Sequence, residues 1–191
     1  MTIVSTAYVP VRSALNLFHA RRFAEDQGVA FTALLTVSWT VAGYSGSDGV
    51  TYNRILRRRL QRAVKYRIDS NKWPGGRLRY IEVAEAPEGE FHTHGLYNLP
   101  EEEFPWFASV ARDRVSKILG HEVPERAVDL TKVETSGSTL KYMLKGISPA
   151  YSQHLHTKAS PQGIVLGRRV SCSTHLGPTA RNAAGWKRKK S

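Results

Sequence analysis

A predicted β-hairpin over Arg79–Pro100 constrains the fold of this chain more than any other stretch. Its first strand alternates apolar and acidic side chains, as half-buried strands do, and a Pro-Glu-Gly turn follows. The returning strand carries His92 and His94, which point to one face because they lie two residues apart. The opposing strand carries Glu82 and Glu85. Two imidazoles and a carboxylate on one face can hold a divalent cation.

The elements around the hairpin predict a fold of the α+β class. Hydrophobic periodicity and turn residues place strands and helices in the order β-α-β-β-α-β-α. We therefore expect a sandwich with a largely antiparallel sheet and helices on one face. The predicted elements are strands over 30–41, 80–84, 90–99 and 126–134, helices over 51–68, 100–120 and 139–146, a short helix over 16–25, a loop over 149–163 and an extended segment over 164–171.

Length and composition predict one cytoplasmic domain. The 191 residues are enough for a single core, which we place at about 30–147, followed by a basic and partly flexible extension over 148–191. The basic run over 187–190 is predicted to be disordered. Cys172 is the only cysteine, so no internal disulfide can form. The sequence shows no signal peptide and no apolar run of membrane-spanning length, so no membrane partner is expected.

The charge distribution points to a polyanionic partner. The formal net charge is +12, from 28 basic and 16 acidic residues. Residues 50–68 contain seven basic residues and no acid, and 135–191 contain ten and no acid. Residues 80–103 reverse the pattern, with seven glutamates and no lysine or arginine. An acidic island inside a basic chain suits a bound cation with phosphates around it; ordinary solvated faces are the alternative.

Tyr142 and Lys145 are the candidates for covalent chemistry. They stand at positions i and i+3 of the last predicted helix and therefore share a face. A phenol beside a metal site can attack phosphorus and form a covalent intermediate. Its ordinary pKa is about 10, so it needs a neighbouring ammonium group or a metal-polarised phosphate to react at neutral pH. An aromatic residue with no catalytic role is the alternative for Tyr142.

These motifs together resemble those of the HUH endonucleases. The order is an apolar strand over 31–40, then His92-Thr93-His94, then Tyr142-x-x-Lys145 on a later helix. The likeness covers about 30–146 and is closest to the single-tyrosine initiators of rolling-circle replication in plasmids and phages. It implies a ferredoxin-like HUH palm, βαββαβ, with an antiparallel sheet flanked by helices.

The resemblance also implies a reaction and a set of roles. His92 and His94 would bind Mg²⁺ or Mn²⁺ with Glu85 as third ligand, and Glu82 stays open for that place. Tyr142 would attack single-stranded DNA at a replication origin, leaving a 5′-phosphotyrosyl link and a free 3′-OH, with Lys145 assisting. No phosphate-binding loop of the Walker type occurs, so unwinding would need a host helicase. The candidate DNA-binding residues are Arg57, Arg58, Arg62, Lys141, Arg168 and Arg169, with Arg181 as a further possibility.

Other readings of the same residues stay open. His154-Leu155-His156 matches the His-apolar-His pattern more literally, and Tyr8 would then serve as the tyrosine of a relaxase-like order; loop histidines near DNA phosphate are the alternative for this pair. His92 and His94 can also be ordinary surface residues of a strand. At the level of function, the alternatives are a basic protein that binds nucleic acid without cleaving it, and an HUH transposase or relaxase.

Overall fold

A five-stranded antiparallel sheet forms the centre of the molecule. The computed structural model describes residues 5–46, 48–74 and 76–187. The sheet has the order β5-β2-β4-β3-β7, while β1 and β6 pair separately. This confirms an α+β fold with an antiparallel sheet. The strands are β1 (Ser5–Thr6), β2 (Ala33–Ser38), β3 (Tyr80–Glu85), β4 (His92–Tyr97), β5 (Val128–Lys132), β6 (Val165–Leu166) and β7 (Val170–Cys172).

Helices cover both faces of the sheet, so the expectation of helices on one face is wrong. Leu60 of α2 and Phe107 of α3 are buried in one core, and Leu17 of α1 and Leu140 of α4 in a second. Strands β2, β3 and β4 carry apolar side chains on both faces, and each face needs a cover. The helices are α1 (Val11–Asp26), α2 (Gly49–Asp69), α3 (Phe104–Leu119), α4 (Ser136–Met143), α5 (Pro149–Ser152) and α6 (Pro178–Ala183).

The hairpin register decides which side chains share a face. Glu85 of β3 stands opposite His92 of β4, and Val83 stands opposite His94. Strand alternation therefore sends Glu85, His92 and His94 toward α1 and α4, and it sends Glu82 toward α2 and α3. Between the strands, a three-residue 3₁₀ turn over Pro87–Gly89 replaces the simple predicted turn.

The C-terminal extension is a structural part of the domain up to residue 187. Strand β7 pairs with β3 at the edge of the main sheet, and β6 pairs with β1 near the start of the chain. Buried Val165, Val170 and Leu176 anchor it. The predicted loop over 149–163 includes α5, and the extended segment over 164–171 forms β6 and most of β7. Of the basic run over 187–190, the last three residues lie outside the described part of the chain.

Within residues 5–46, 48–74 and 76–187, no helix is both long and apolar enough to cross a bilayer. The longest helix, α2, carries a dense row of arginines along its exposed side.

Candidate active site on the outer face of strand β4

Four of the predicted site residues converge between the sheet and α4. His94 and Glu85 project from β4 and β3 toward α4, where Tyr142 lies in the last turn and Lys145 just beyond its end. The rings of His94 and Tyr142 meet edge to face, with 6.1 Å between their centroids. The fold therefore brings together groups that are 60 residues apart in sequence.

His94 is held from both sides of its ring. Its Nε2 lies 2.9 Å from Oε1 of Glu85, and its Nδ1 lies 3.0 Å from the hydroxyl of Thr36 on β2. His94 is only 6% exposed, so these two contacts fix the orientation of its ring. Because ionised Glu85 can only accept, Nε2 of His94 carries a proton, and in the neutral ring the Thr36 hydroxyl donates to Nδ1. Both ring nitrogens are thus engaged, so a metal ion would bind His94 only after one of these two contacts opens.

Lys145 links the carboxylate to the phenol. Its Nζ lies 3.2 Å from Oε1 of Glu85 and 3.5 Å from the hydroxyl of Tyr142, to which it donates. The same nitrogen stands 4.5 Å from the centre of the Tyr142 ring. Tyr142 is 53% exposed, so an approaching ligand can reach its hydroxyl. Lys145 therefore places a positive charge beside the oxygen that an approaching ligand would meet.

Glu85 is buried but remains charged. Burial raises its pKa, yet the hydrogen bond from His94 and the charges of His94 and Lys145 bring the pKa below its ordinary value of 4.5. Its second oxygen, Oε2, is buried and has no hydrogen-bond partner among the described residues. A charged carboxylate oxygen without a partner is costly in a protein interior and is a typical place for an ion or water to bind.

The charge on Glu85 predicts a pH-dependent stability. A carboxyl whose pKa is lower in the folded state stabilises the fold above its unfolded pKa, and that stability is lost as the pH falls through the folded pKa. We expect the wild-type chain to lose more free energy of unfolding than Glu85→Gln between about pH 5 and about pH 3. Urea titrations at each pH measure this, with exposed Glu90→Gln as the control. Parallel curves for wild type and Glu85→Gln would contradict it.

His92 lies close to this group but does not join it. It stands opposite Glu85 in the register and is partly exposed, and its Nε2 lies 3.5 Å from Oε2 of Glu90 in the turn. In the part of the chain that the structure describes, no three His, Cys, Asp or Glu side chains are placed closely enough to hold a metal ion. The predicted ligands thus share a face without forming a finished metal cage.

Glu82 is separated from this site by the sheet. Its Oε2 accepts hydrogen bonds from Arg57, Asn53 and Ser171, and its Oε1 accepts one from Tyr97. The alternative of Glu82 as third ligand beside His92 and His94 is therefore wrong.

The middle residue of the His-Thr-His motif also faces α2. Thr93 is buried, and its hydroxyl accepts a hydrogen bond of 3.0 Å from Nε1 of Trp39. The hydrogen bond from Trp39 therefore satisfies a polar side chain at this position, where the HUH endonucleases favour an apolar one.

Comparison with known proteins assigns no relative to the chain. No family model, curated protein or solved structure matches it. Any function proposed for the chain therefore depends on its own residues and their geometry.

The predicted DNA-binding cations divide into exposed and structural ones. Arg57 pairs with Glu82 at 2.6 Å and is partly buried. Arg169 is only 3% exposed and donates to the backbone carbonyls of residues 6, 7, 162 and 163. Arg181 is buried and donates to Asn16 and to the carbonyl of Leu176. Arg169 and Arg181 thus stabilise the fold and do not face a nucleic acid; the exposed members of the set are Arg58, Arg62, Lys141 and Arg168.

The second histidine pair lines a cleft between α1 and α4. His154 and His156 are exposed, and they line a cleft of about 810 Å³ with His19 and the first turn of α4. His156 has a positive φ of 49°, which gives it the backbone geometry of a turn instead of a strand. The two side chains therefore do not form a paired face as His92 and His94 do.

Thr36 is the residue of this site that sequence reasoning missed. It lies within a continuous apolar run, where a single threonine fits a strand through its β-branched shape alone. The available signal was register, because Thr36 stands directly opposite His94 when β2 pairs with β4. Strand pairing between distant segments cannot be read from a single sequence.

Proposed function

We propose that this protein is a metal-dependent endonuclease that nicks single-stranded DNA through Tyr142. The observation that carries the proposal is the convergence of the Tyr142 phenol with Lys145, Glu85 and His94 on one face of the sheet. An exposed phenol, an ammonium group that donates to it and a charged carboxylate beside an imidazole suit attack on a phosphodiester.

The topology supports an HUH-type palm. The core elements run β2-α2-β3-β4-α3-β5, and their strands have the order β5-β2-β4-β3. That is the arrangement expected of a ferredoxin-like βαββαβ unit, in which both crossover helices pack on one face. In the proposed enzyme α2 and α3 form that layer, and the histidines occupy the opposite face of the central strand β4.

In the proposed reaction, Tyr142 exchanges one ester for another. Its oxygen forms a bond to the scissile phosphorus as the bond from phosphorus to O3′ breaks, so a 5′-phosphotyrosyl link and a free 3′-OH result. The phenol loses its proton and O3′ gains one. Lys145 stabilises the phenolate oxygen that attacks the phosphorus. Its ion pair with Glu85 holds the ammonium group beside that oxygen. No oxidant or nucleotide cofactor is consumed.

His92, His94 and Glu85 are the residues that would hold Mg²⁺ or Mn²⁺. A carboxylate suits Mg²⁺ and Mn²⁺, and the unpartnered Oε2 of Glu85 fits such an ion. When bound, the metal would supply Lewis-acid polarisation of the phosphate. The chain itself sets the orientation of His94 through Thr36 and keeps Glu85 charged.

The proposed substrate is single-stranded DNA at the replication origin of a plasmid or phage. Lys141 is exposed one residue before Tyr142, where it can contact a phosphate next to the scissile one. Exposed Arg58 and Arg62 add to the positive charge that draws DNA to the chain, although α2 lies across the sheet from Tyr142. The setting we propose is a bacterial cytoplasm, where a host helicase unwinds the DNA.

Covalent capture in the presence of Mn²⁺ tests the proposal. A pool of labelled single-stranded DNA of random sequence is mixed with the full chain, and protein that carries label after denaturation is collected. We expect a labelled adduct with Mn²⁺ and none with excess EDTA, because the metal activates the phosphate. Sequencing the captured DNA gives the site, and peptide mass spectrometry should find the nucleotide on Tyr142. An adduct at another tyrosine, or none under any divalent metal, would refute the proposal.

A second candidate function is binding of nucleic acid without cleavage. The observation that favours it is the row of exposed cations on α2, at Arg54, Arg58 and Arg62, which lies on the face of the sheet away from Tyr142. Salt-sensitive gel shifts without any adduct would support it. An HUH transposase or relaxase would instead be recognised by its products, namely joined transposon ends or transferred strands.

A further inference from the structure

A second cleft, unrelated to Tyr142, opens on the α2 side of the sheet. It measures about 880 Å³ and lies between the first turns of α2, the β6–β7 connection and the sheet edge formed by β3 and β7. Glu82 and Ala84 line it, and both face away from His94. Its size is in the range of pockets that hold small organic ligands.

The floor of the cleft is polar and rigid. Glu82 is buried and accepts from Arg57 at 2.6 Å, and Ser171 bridges the same pair with contacts of 2.9 and 3.2 Å. Asn53 uses its amide nitrogen on Glu82, which leaves its carbonyl oxygen as an acceptor. Because Arg57 and Glu82 already neutralise each other, the floor needs no charged ligand group beside it. It can offer single hydrogen bonds to a ring edge.

The rim of the cleft is positively charged. Arg54 and Arg168 line it, both are exposed, and neither forms an ion pair or side-chain hydrogen bond with any residue that the structure describes. Arg169 also lines the cleft, but it is buried and donates to backbone carbonyls, so it contributes charge without a free donor on the rim. Four arginines, including Arg57 on the floor, stand against the two carboxylates of Asp48 and Glu82. Guanidinium groups with free donors are the usual ligands of phosphate.

The walls between rim and floor are apolar. Val50 of α2 and Leu166 of β6 line them, one from each side. Gly167 has a φ of +97°, and a Cβ there would stand 3.4 Å from Val50, so the β6–β7 connection passes close to the helix. Two apolar walls with a cationic rim suit a flat ring that carries a phosphate.

We propose that this cleft binds one nucleotide unit. Its phosphate contacts Arg54 and Arg168, and its base lies between the apolar walls, with Asn53 and Ser171 at its edge. The site is separate from the proposed nicking reaction and does not depend on it. The nucleotide can be free or part of a DNA strand, because both present the same phosphate and base.

Binding of mononucleotides to the full chain tests this. Isothermal titration calorimetry with each deoxynucleoside 5′-monophosphate should show one saturable site, tighter than inorganic phosphate. Arg54→Gln and Arg168→Gln should each weaken binding about tenfold, the usual effect of losing a charge-assisted contact. The matched control is Arg58→Gln, one turn further along the exposed face of α2 and outside the cleft lining, which should change affinity less than about twofold.

The binding results distinguish a free nucleotide from a DNA strand as the ligand, and they also show when the proposed nucleotide cleft is wrong. A short oligonucleotide that binds more tightly than a mononucleotide, and loses affinity with Arg54→Gln, assigns the cleft to a DNA strand; equal affinities assign it to free nucleotides. No saturable binding at about 1 mM nucleotide, equal binding of inorganic phosphate, or an equal loss with Arg58→Gln overturns the proposal. Because Arg54 lies away from Tyr142, covalent capture by Arg54→Gln should equal that of wild type, so this test and the nicking test can fail independently.

Discussion

Tyr142→Phe is expected to abolish covalent capture of DNA while leaving the fold unchanged. The substitution removes only the phenolic oxygen, which is the atom that would bond to phosphorus. Loss of a covalent nucleophile commonly costs several orders of magnitude, so we expect the rate of adduct formation to fall at least about 10³-fold. Tyr142 is 53% exposed, and among the described residues its hydroxyl has only the long contact of 3.5 Å with Lys145, so stability should change by less than about 0.5 kcal/mol.

Two other tyrosines provide matched controls. Tyr151 is 46% exposed and Tyr8 is 44% exposed, so Tyr151→Phe and Tyr8→Phe are the same chemical change at similar exposure. Both variants should form the adduct at the wild-type rate in the Mn²⁺ capture assay. Unchanged adduct formation by Tyr142→Phe would contradict the proposed mechanism, and its loss in Tyr8→Phe would favour the relaxase-like order.

Much of the sheet could be predicted because its signal is local. Alternation in β3 and the turn after it predicted the hairpin, and the strands of the main sheet lie within or one residue from the predicted ranges. The preference for Glu85 over Glu82 followed from its closeness to the turn. The structure places Glu85, and not Glu82, on the face of His94 for a related reason, since residues three apart on a strand point to opposite sides.

The helix layer formed by α1 and α4 could not be predicted from such local patterns. The weak periodicity at the start of the chain predicted only a short helix over 16–25, whereas α1 spans Val11–Asp26. Its packing partner is the face of the sheet that carries Ile81 and Leu96. A single sequence shows that a strand is apolar on both sides, but it does not show which distant helix covers each side.

The sequence also does not show which basic side chains are exposed. Arg168 and Arg169 are adjacent and equally basic in sequence, but the first is exposed and the second is buried against backbone carbonyls. Strand alternation next to β7 separates them, and the carbonyls that receive Arg169 come from residues 6 and 7 and residues 162 and 163. Charge runs therefore predict a partner class better than they predict which arginine meets it.

Glu82→Ala is expected to cause the largest loss of stability among the substitutions considered. Glu82 is 4% exposed and satisfies the buried hydroxyl of Tyr97 at 2.7 Å and the guanidinium of Arg57 at 2.6 Å. Burial, followed by the charge of Glu82, raises the pKa of Tyr97 well above its ordinary value, so this phenol stays protonated and needs an acceptor. Removing one partner of a buried pair leaves the other charge uncompensated, which typically costs about 3–5 kcal/mol.

A double-mutant comparison separates the ion pair from the loss of packing. We expect the Arg57→Met, Glu82→Leu double variant to lose less free energy of unfolding in urea than the sum of its single variants, because neither charge is then left unpaired. Asp69→Ala is the control, since it breaks the exposed Lys65–Asp69 pair and should cost less than about 1 kcal/mol. If Glu82→Ala costs no more than Asp69→Ala, then the Arg57–Glu82 network does not hold α2 to the sheet. The floor proposed for the nucleotide cleft would then not be rigid either, because Arg57 and Glu82 form it together with Asn53 and Ser171.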